Sequence, residues 1–185
     1  MGTEYEAKIL DIDVAAVESK IQDLGGTFFG ESLQRRYVYD IIPGDQSQWL
    51  RLRDNGTQST IAVKRIAHDG IDGTDETEIA VDDFDTAARL LELIGMTPKA
   101  YQENRRRSWR LDECELEVDT WPHIPTYLEI EGPDVDSVAE TARRLGYDPE
   151  KLTGANTTKI YTHYGRNLAD FPELRLQDSV DVMPG

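Results

Sequence analysis

Charged side chains recur at every second position in several short segments of this sequence, and their types divide into two sets. The acidic segments are Glu4-x-Glu6, Glu76-x-Glu78, Glu115-x-Glu117-x-Asp119 and Glu129-x-Glu131. The basic segments are Arg51-x-Arg53, Ala62-Val63-Lys64 and Arg105-x-Arg107. Carboxylates supply the oxygen ligands that Mg²⁺ and Mn²⁺ prefer, and Arg and Lys side chains bind phosphate oxygens. The two sets together predict a site for a polyanion that binds with a divalent metal ion.

The same alternation predicts the elements that carry these residues. A charged residue at every second position gives a β-strand one charged face and one largely apolar face. Seven segments follow this pattern, and residues 36–40 predict an eighth strand. Between the strands, residues 14–24, 84–94 and 135–145 carry apolar residues at helical spacing, and each segment lies between an Asp and a Gly. These are the N-cap and C-terminal stop signals of α-helices.

One unit recurs along the chain: a Glu-x-Glu strand, an Asp-capped helix and an exit at Leu-Gly or Ile-Gly. A shift of about 70 positions places Glu6 on Glu76 and Asp13 on Asp83, and a second shift of about 51 places Asp83 on Asp134. This repetition predicts an internally duplicated α+β fold. We expect the sheet to close into an eight-stranded antiparallel β-barrel with the helices packed outside.

The direction of the charged strand faces decides what such a barrel could bind. An antiparallel sheet commonly turns its charged face to water. Here the signs segregate by strand and the basic residues are mostly Arg, which suits ordered charge-assisted contacts. Because the helices must cover the apolar faces, we expect the charged faces to line the interior as a tunnel. The apolar residues expected beneath helices are Tyr5, Ile79, Leu116 and Ile130.

Length and net charge narrow the functional classes. The 185 residues are expected to form one domain over 1–165, followed by an acidic, mobile tail over 166–185. A formal net charge of −16 disfavours nucleic acid and anionic membranes as partners. No apolar run is long enough to cross a membrane, and the first residues do not form a signal peptide. With a single cysteine, Cys114, the chain fits a reducing compartment, so we expect a cytoplasmic location.

The order of these motifs resembles the CYTH family, also called triphosphate tunnel metalloenzymes. The resemblance begins with the Glu4-x-Glu6-x-Lys8 signature, continues through the alternating segments above and ends at a segment with Lys159 and Tyr161, over residues 3–165. It implies an eight-stranded antiparallel tunnel that binds a triphosphate with one or two Mg²⁺ or Mn²⁺ ions.

The resemblance also implies roles for single residues. The implied metal ligands are Glu4, Glu6, Glu117, Asp119, Glu129 and Glu131. The implied phosphate ligands are Lys8, Arg51, Arg53, Lys64, Arg105, Arg107 and Lys159. For Glu76 and Glu78, neutralisation of neighbouring Arg side chains is the alternative to a direct role.

The second strand departs from the family pattern Asp-x-Tyr-Phe-Asp, because it reads Arg36-Tyr37-Val38-Tyr39-Asp40 and has Val38 in place of the middle Tyr. The resemblance to thiamine triphosphatases implies a catalytic pair of a Tyr and a Lys. Because Val38 replaces the usual Tyr, Tyr39 and Lys64 could form this pair only if Tyr39 points inward. Lys8 is the third catalytic candidate.

The size of the chain and the ending Thr157-Thr158-Lys159-Ile160-Tyr161 look most like the class IV adenylyl cyclases, which convert ATP to cyclic AMP and pyrophosphate. Hydrolysis of inorganic triphosphate, thiamine triphosphate or a nucleoside triphosphate is the alternative. A non-catalytic sensor of polyphosphate or nucleotide is the second alternative. The expected partner is a small molecule that contains a triphosphate, and the oligomeric state stays open between monomer and homodimer.

Overall fold

The computed structural model describes residues 2–178 as strands, helices and connecting loops. The strands are β1 (Gly2–Ile9), β2 (Thr27–Asp40), β3 (Gln48–Asp54), β4 (Ser59–Ile66), β5 (Thr74–Val81), β6 (Ala100–Leu111), β7 (Cys114–Thr120), β8 (Tyr127–Gly132) and β9 (Glu173–Leu174). The α-helices are α1 (Val14–Asp23), α2 (Phe84–Leu93), α3 (Val135–Leu145) and α4 (Thr157–His163). Three short 3₁₀ segments are Pro149–Lys151, Leu168–Asp170 and Leu176–Asp178.

Eight antiparallel strands close into a barrel. They run in the order β2-β3-β4-β5-β1-β8-β7-β6, and β6 pairs back with β2. The closing β2–β6 ladder is long, since it pairs residues from Thr27 with Arg110 to Val38 with Ala100. The predicted eight-stranded antiparallel α+β barrel is confirmed.

The unit of strand, Asp cap and helix occurs three times, at β1–α1, β5–α2 and β8–α3. In each helix the side chain of the preceding Asp accepts a hydrogen bond from the backbone N–H three residues further on, which satisfies a donor that the helix itself leaves free. After these helices, Gly25, Gly95 and Gly146 take positive φ angles of 88°, 90° and 95°. The left-handed region favours Gly, which explains where each helix ends.

The hydrophobic core lies between the outer face of the barrel and the helices. Leu116 and Ile130 are fully buried, as predicted, and Tyr5 is partly buried against the same cluster. The prediction for Ile79 is wrong, because its side chain is 60% exposed. Helix α2 packs instead against the outer faces of β2 and β3, through Phe84, and leaves this part of β5 uncovered.

The segment after α4 packs on one end of the barrel. Strand β9 pairs in parallel with β6, and Leu174 is fully buried. Leu168 is buried in the same cluster and Phe171 packs against it. The mobility of the acidic tail over 166–185 stays a prediction, and residues 179–185 lie outside the described residues.

Candidate active site

The barrel encloses a cavity of about 940 Å³ that charged side chains from all eight strands surround. This volume lies in the range of small-molecule sites. The carboxylates of β1, β7 and β8 lie on one side, called here the acidic wall: Glu4, Glu6, Glu115, Asp119, Glu129 and Glu131 line the cavity, and Glu117 lies between Glu115 and Asp119 on β7. Arginines concentrate on the opposite side, called here the basic wall: Arg36, Arg51 and Arg53, on β2 and β3.

Strand pairing sets the geometry of the acidic wall. Glu6 lies directly opposite Glu131 in the β1–β8 ladder, and Lys8 lies opposite Glu129. The Nζ atom of Lys8 lies 3.0 Å from Glu6 and 3.1 Å from Glu129. Burial alone would lower the pKa of Lys8, but the Glu129 and Glu6 carboxylates outweigh it and raise that pKa. Lys8 is therefore a fixed cation among carboxylates rather than a neutral amine.

The pKa values of Glu131 and Glu4 in this wall are raised above the usual value. Burial, with the neighbouring charges of Glu129 and Glu6, raises the pKa of Glu131. Burial and a hydrogen bond with Glu76 raise the pKa of Glu4. Both groups resist ionisation mainly because they are buried, and the negative charge crowded around them adds to this effect. A bound cation would relieve that crowding.

Arg106 connects the carboxylates of β7 and β8. Its Nη2 atom lies 2.6 Å from Asp119 and 3.0 Å from Glu129, and its Nε donates to Asp119 at 2.8 Å. Asn104 donates a further hydrogen bond to Asp119 at 2.9 Å. Burial alone would raise the pKa of Glu129, but the charges of Lys8 and Arg106 stabilise the carboxylate and lower that pKa. Glu129 is thus ionised, and the hydrogen bonds from Arg106 and Asn104 hold Asp119 in place.

The cations of β3 and β4 pair with the carboxylates of β5. Arg51 lies 2.8 Å from Glu76 and 3.1 Å from Glu78, and Arg53 lies 3.3 Å from Glu78. Lys64 bridges Glu76 at 2.9 Å and Glu4 at 2.8 Å. These pairs agree with the interpretation that Glu76 and Glu78 neutralise neighbouring Arg side chains.

The structure corrects two phosphate-binding candidates. Arg105 and Arg107 lie on the outer face of the barrel, where Arg107 pairs with Glu18 of α1 at 2.5 Å and with Glu31 at 3.1 Å. Arg105 lies 3.4 Å from Glu31. The register of β6 turns Arg106 inward instead, so the run of three arginines contributes only its middle member to the cavity.

The structure also places Tyr39 away from the cavity. Its side chain is 1% exposed and packs with Leu52 and Phe84 beneath α2. A catalytic pair of Tyr39 and Lys64 is therefore wrong, since Tyr39 points outward and Lys64 inward. Lys159 of α4 does border the cavity at one end, where its Nζ lies 2.5 Å from Asp69.

Sequence reasoning did not select Arg36, Arg106 or Trp121, which all line the cavity. A signal for Arg106 was present. Trp109 and Leu111 are apolar and share the parity of Arg107 along the strand, so they place Arg107 on the apolar outer face and Arg106 inside. Trp121 follows the last residue of β7, where the alternation has already ended.

The donor set fits a divalent cation by its chemistry, because crowded carboxylate oxygens are the ligands of Mg²⁺ and Mn²⁺. Glu6 and Glu131 face each other across two strands, and Glu4 lies on the same face of β1 as Glu6. Within residues 2–178, no three His, Cys, Asp or Glu side chains already stand in an arrangement that holds a metal. Glu4 and Glu6 contact lysines instead, and these contacts would have to exchange for metal contacts.

The family model of the CYTH domain matches residues 2–162, so the chain belongs to the CYTH family. Its fold is similar to that of the PH1012 protein of Pyrococcus horikoshii, with 24% identity over 85% of this chain and 98% of that one, at a TM-score of 0.71. A candidate adenylate cyclase of Vibrio parahaemolyticus has 15% identity over 86% and 98% of the two chains, at a TM-score of 0.71. The HpAC1 protein of Hippeastrum, described as having a dominant triphosphatase activity, has 14% identity over 88% and 96%, at a TM-score of 0.56.

These structural likenesses establish the fold. Among curated proteins, none matches the sequence. In the described part of the chain, no helix has the length and apolar character needed to span a membrane.

The crowded acidic wall should make the ligand-free protein less stable at higher pH. Burial raises the pKa of Glu117 from 4.5 to about 7, with partial opposition from Arg106. Between these values the folded protein binds more protons than the unfolded chain, so its free energy of unfolding falls as the pH rises. We expect a fall of at least about 1 kcal/mol between about pH 5 and about pH 8. Urea denaturation at several pH values measures it.

The variant Glu117→Gln should flatten this dependence, because it removes one of the protonated carboxyl groups. The matched control is Glu113→Gln, at an exposed position of the same β6–β7 hairpin. Groups with lowered pKa values, such as Glu129, change the free energy of unfolding only below about pH 4.5, which lies outside the measured pH range. An unchanged slope in Glu117→Gln would show that Glu117 ionises normally in the fold.

Proposed function

We propose that this chain is a divalent-metal-dependent enzyme that acts on a small molecule with a triphosphate group, bound in the barrel. One observation carries the proposal: the interior opposes a wall of arginines to a wall of carboxylates within a single cavity. Phosphate oxygens complement the first wall and a divalent cation complements the second. The net charge of −16 makes such internal cations necessary for any polyanion to bind.

The proposal gives different roles to different residues of the cavity. Arg51, Arg53 and Lys64 hold phosphate oxygens and stabilise the negative charge that builds up as a phosphoanhydride bond breaks. Lys8 adds a fixed positive charge beside the carboxylates. Glu6 and Glu131, with Glu4, would hold Mg²⁺ or Mn²⁺, which when bound supplies Lewis acidity at a phosphate oxygen.

For the reaction itself we propose cyclisation of ATP to cyclic AMP and pyrophosphate. In this reaction the ribose 3′-oxygen bonds to the α-phosphorus, pyrophosphate leaves and the 3′-hydroxyl proton passes to a base. The cavity lining also includes apolar and aromatic side chains, which support this proposal because a nucleoside could pack against them. These side chains are Val38, Trp49, Ile66, Leu168 and Phe171.

Hydrolysis of a triphosphate is the second candidate reaction. It is favoured by the largely charged lining of the cavity, because these side chains complement phosphate and metal without an organic group. Water would then attack the terminal phosphorus in line with the leaving oxygen, and the same Arg and Lys side chains would neutralise the leaving group.

Product analysis separates these reactions. The protein is incubated with ATP, inorganic triphosphate and thiamine triphosphate, each with Mg²⁺ or Mn²⁺, and the products are resolved by chromatography. Cyclic AMP and pyrophosphate identify the cyclase, whereas orthophosphate from any of the three substrates identifies the hydrolase. Tight binding of a triphosphate without turnover would overturn an enzymatic function and leave the sensor alternative.

A further inference from the structure

Arg36 differs from the other described cations of the cavity in what surrounds it. Lys8, Lys64, Arg51 and Arg106 each lie within about 3 Å of a carboxylate. For Arg36, no carboxylate of residues 2–178 lies within ion-pair distance, and its hydrogen bond goes to the neutral amide of Asn104. The residue is nevertheless only 9% exposed. An uncompensated buried cation is costly unless an anion joins it.

Two buried N–H donors, one on Arg36 and one on its neighbour Trp121, have no acceptor among the described residues. The Arg36 guanidinium lies 4.6 Å above the ring of Trp121, which fixes its plane. The two donors are the Nε atom of Arg36 and the indole Nε1 atom of Trp121. Both residues line the cavity. A guanidinium that lines a cavity offers planar N–H donors that match the oxygens of an anion.

Strand register places Arg36 beside the two members of the basic wall that lie on β3. Arg36 lies directly opposite Arg53 in the β2–β3 ladder and opposite Gln102 in the β2–β6 ladder. Burial, together with the nearby charges of Arg51, Arg53 and Arg106, lowers the pKa of Arg36 to about 9, with partial opposition from Asp119. Arg51 and Arg53 have carboxylate partners on β5, whereas Arg36 has none within ion-pair distance among residues 2–178.

We propose that Arg36, oriented by Trp121 and Asn104, forms an additional anion subsite that binds a phosphoryl group of the substrate. This inference rests on the proposed function, because it assigns a further phosphate ligand to the same cavity. It gives the β2 member of the basic wall a ligand role beside Arg51 and Arg53 of β3. Arg36 is then a substrate-binding residue, and Trp121 and Asn104 are positioning residues.

The test uses inorganic tripolyphosphate with Mg²⁺ as the probe and isothermal titration calorimetry as the readout. Arg36→Met keeps the length of the side chain and removes its charge, and we expect it to weaken tripolyphosphate binding about 10- to 100-fold. Arg36→Lys keeps the charge without the planar fork, so its affinity should lie between those of Arg36→Met and the wild type. The control Arg65→Met, at an exposed position of β4, should bind like the wild type.

Melting temperatures without ligand complete the test. Arg36→Met should be at least as stable as the wild type, because it removes a buried cation that lacks an anionic partner. If Arg36→Met melts at a lower temperature and binds tripolyphosphate like the wild type, Arg36 is structural and the subsite is wrong. If the wild type itself does not bind tripolyphosphate, the proposed function is wrong, so the two failures are distinguishable.

Discussion

Replacing Glu6 by Gln should lower triphosphate turnover at least about 100-fold, because it removes a carboxylate from the proposed metal site. Glu6 lies opposite Glu131, and these two groups offer the most direct pair of oxygen donors on the acidic wall. The fold should tolerate the change, since Lys8 keeps Glu129 as a partner at 3.1 Å. Loss of one charge also relieves the repulsion that raises the pKa of Glu131.

Turnover measured against Mg²⁺ concentration, together with melting temperatures, checks this expectation. Added Mg²⁺ should raise the melting temperature of the wild type and have little effect on Glu6→Gln. The exposed control Glu113→Gln should behave like the wild type in both measurements. Wild-type turnover that persists in EDTA, or normal turnover by Glu6→Gln, would contradict the metal site.

The fold could be predicted from the sequence because its signals are local. Alternation over a few residues distinguishes the two faces of a strand, and Asp13, Asp83 and Asp134 mark where three helices begin. Closure of the barrel followed from the need to cover apolar faces. The position of α2 on the barrel could not be predicted from local signals, because it depends on packing between distant segments. For that reason Ile79 was wrongly predicted to be buried.

The candidate site was predictable where charge and apolar residues alternate clearly. Glu4, Glu6, Lys8 and their partners on β8 all face the cavity, as the alternation predicted. In β6, three consecutive arginines do not show which positions face inward, so Arg105 and Arg107 were predicted to line the cavity in place of Arg106. Tyr39 illustrates the same difficulty, since an aromatic residue suits either face and only the packing of α2 shows that it lies outside.

The segregation of charge explains how one small barrel could hold both a metal ion and a polyanion. Glu4, Glu6 and Lys8 share one face of β1, so that Lys8 joins the acidic wall and pairs with Glu6 and Glu129 there. The cations of β3 pair with β5, which keeps them placed before any ligand arrives. Such preorganisation matters because charged groups that are already oriented need little rearrangement during reaction.

Replacing Arg53 by Gln should weaken the binding of a non-hydrolysable triphosphate analogue about 10- to 100-fold, whereas Arg107→Gln should change it less than about twofold. Arg53 lines the cavity, and burial together with Arg51 and Arg106 lowers its pKa to about 10. Removing a charge from this crowded basic wall lowers the attraction for phosphate directly. Arg107 points outward to Glu18 and Glu31, at 2.5 Å and 3.1 Å.

The comparison of these two arginines distinguishes local contact from net charge, because each substitution makes the chain more negative by the same amount. Calorimetric titration with the analogue and Mg²⁺ gives both affinities under identical conditions. Arg107→Gln should show its effect in stability instead, by about 1 kcal/mol or less, since its ion pairs lie on the surface. If both variants lost affinity equally, the long-range field of the protein would govern binding, and the facing walls of the barrel would not form the phosphate site.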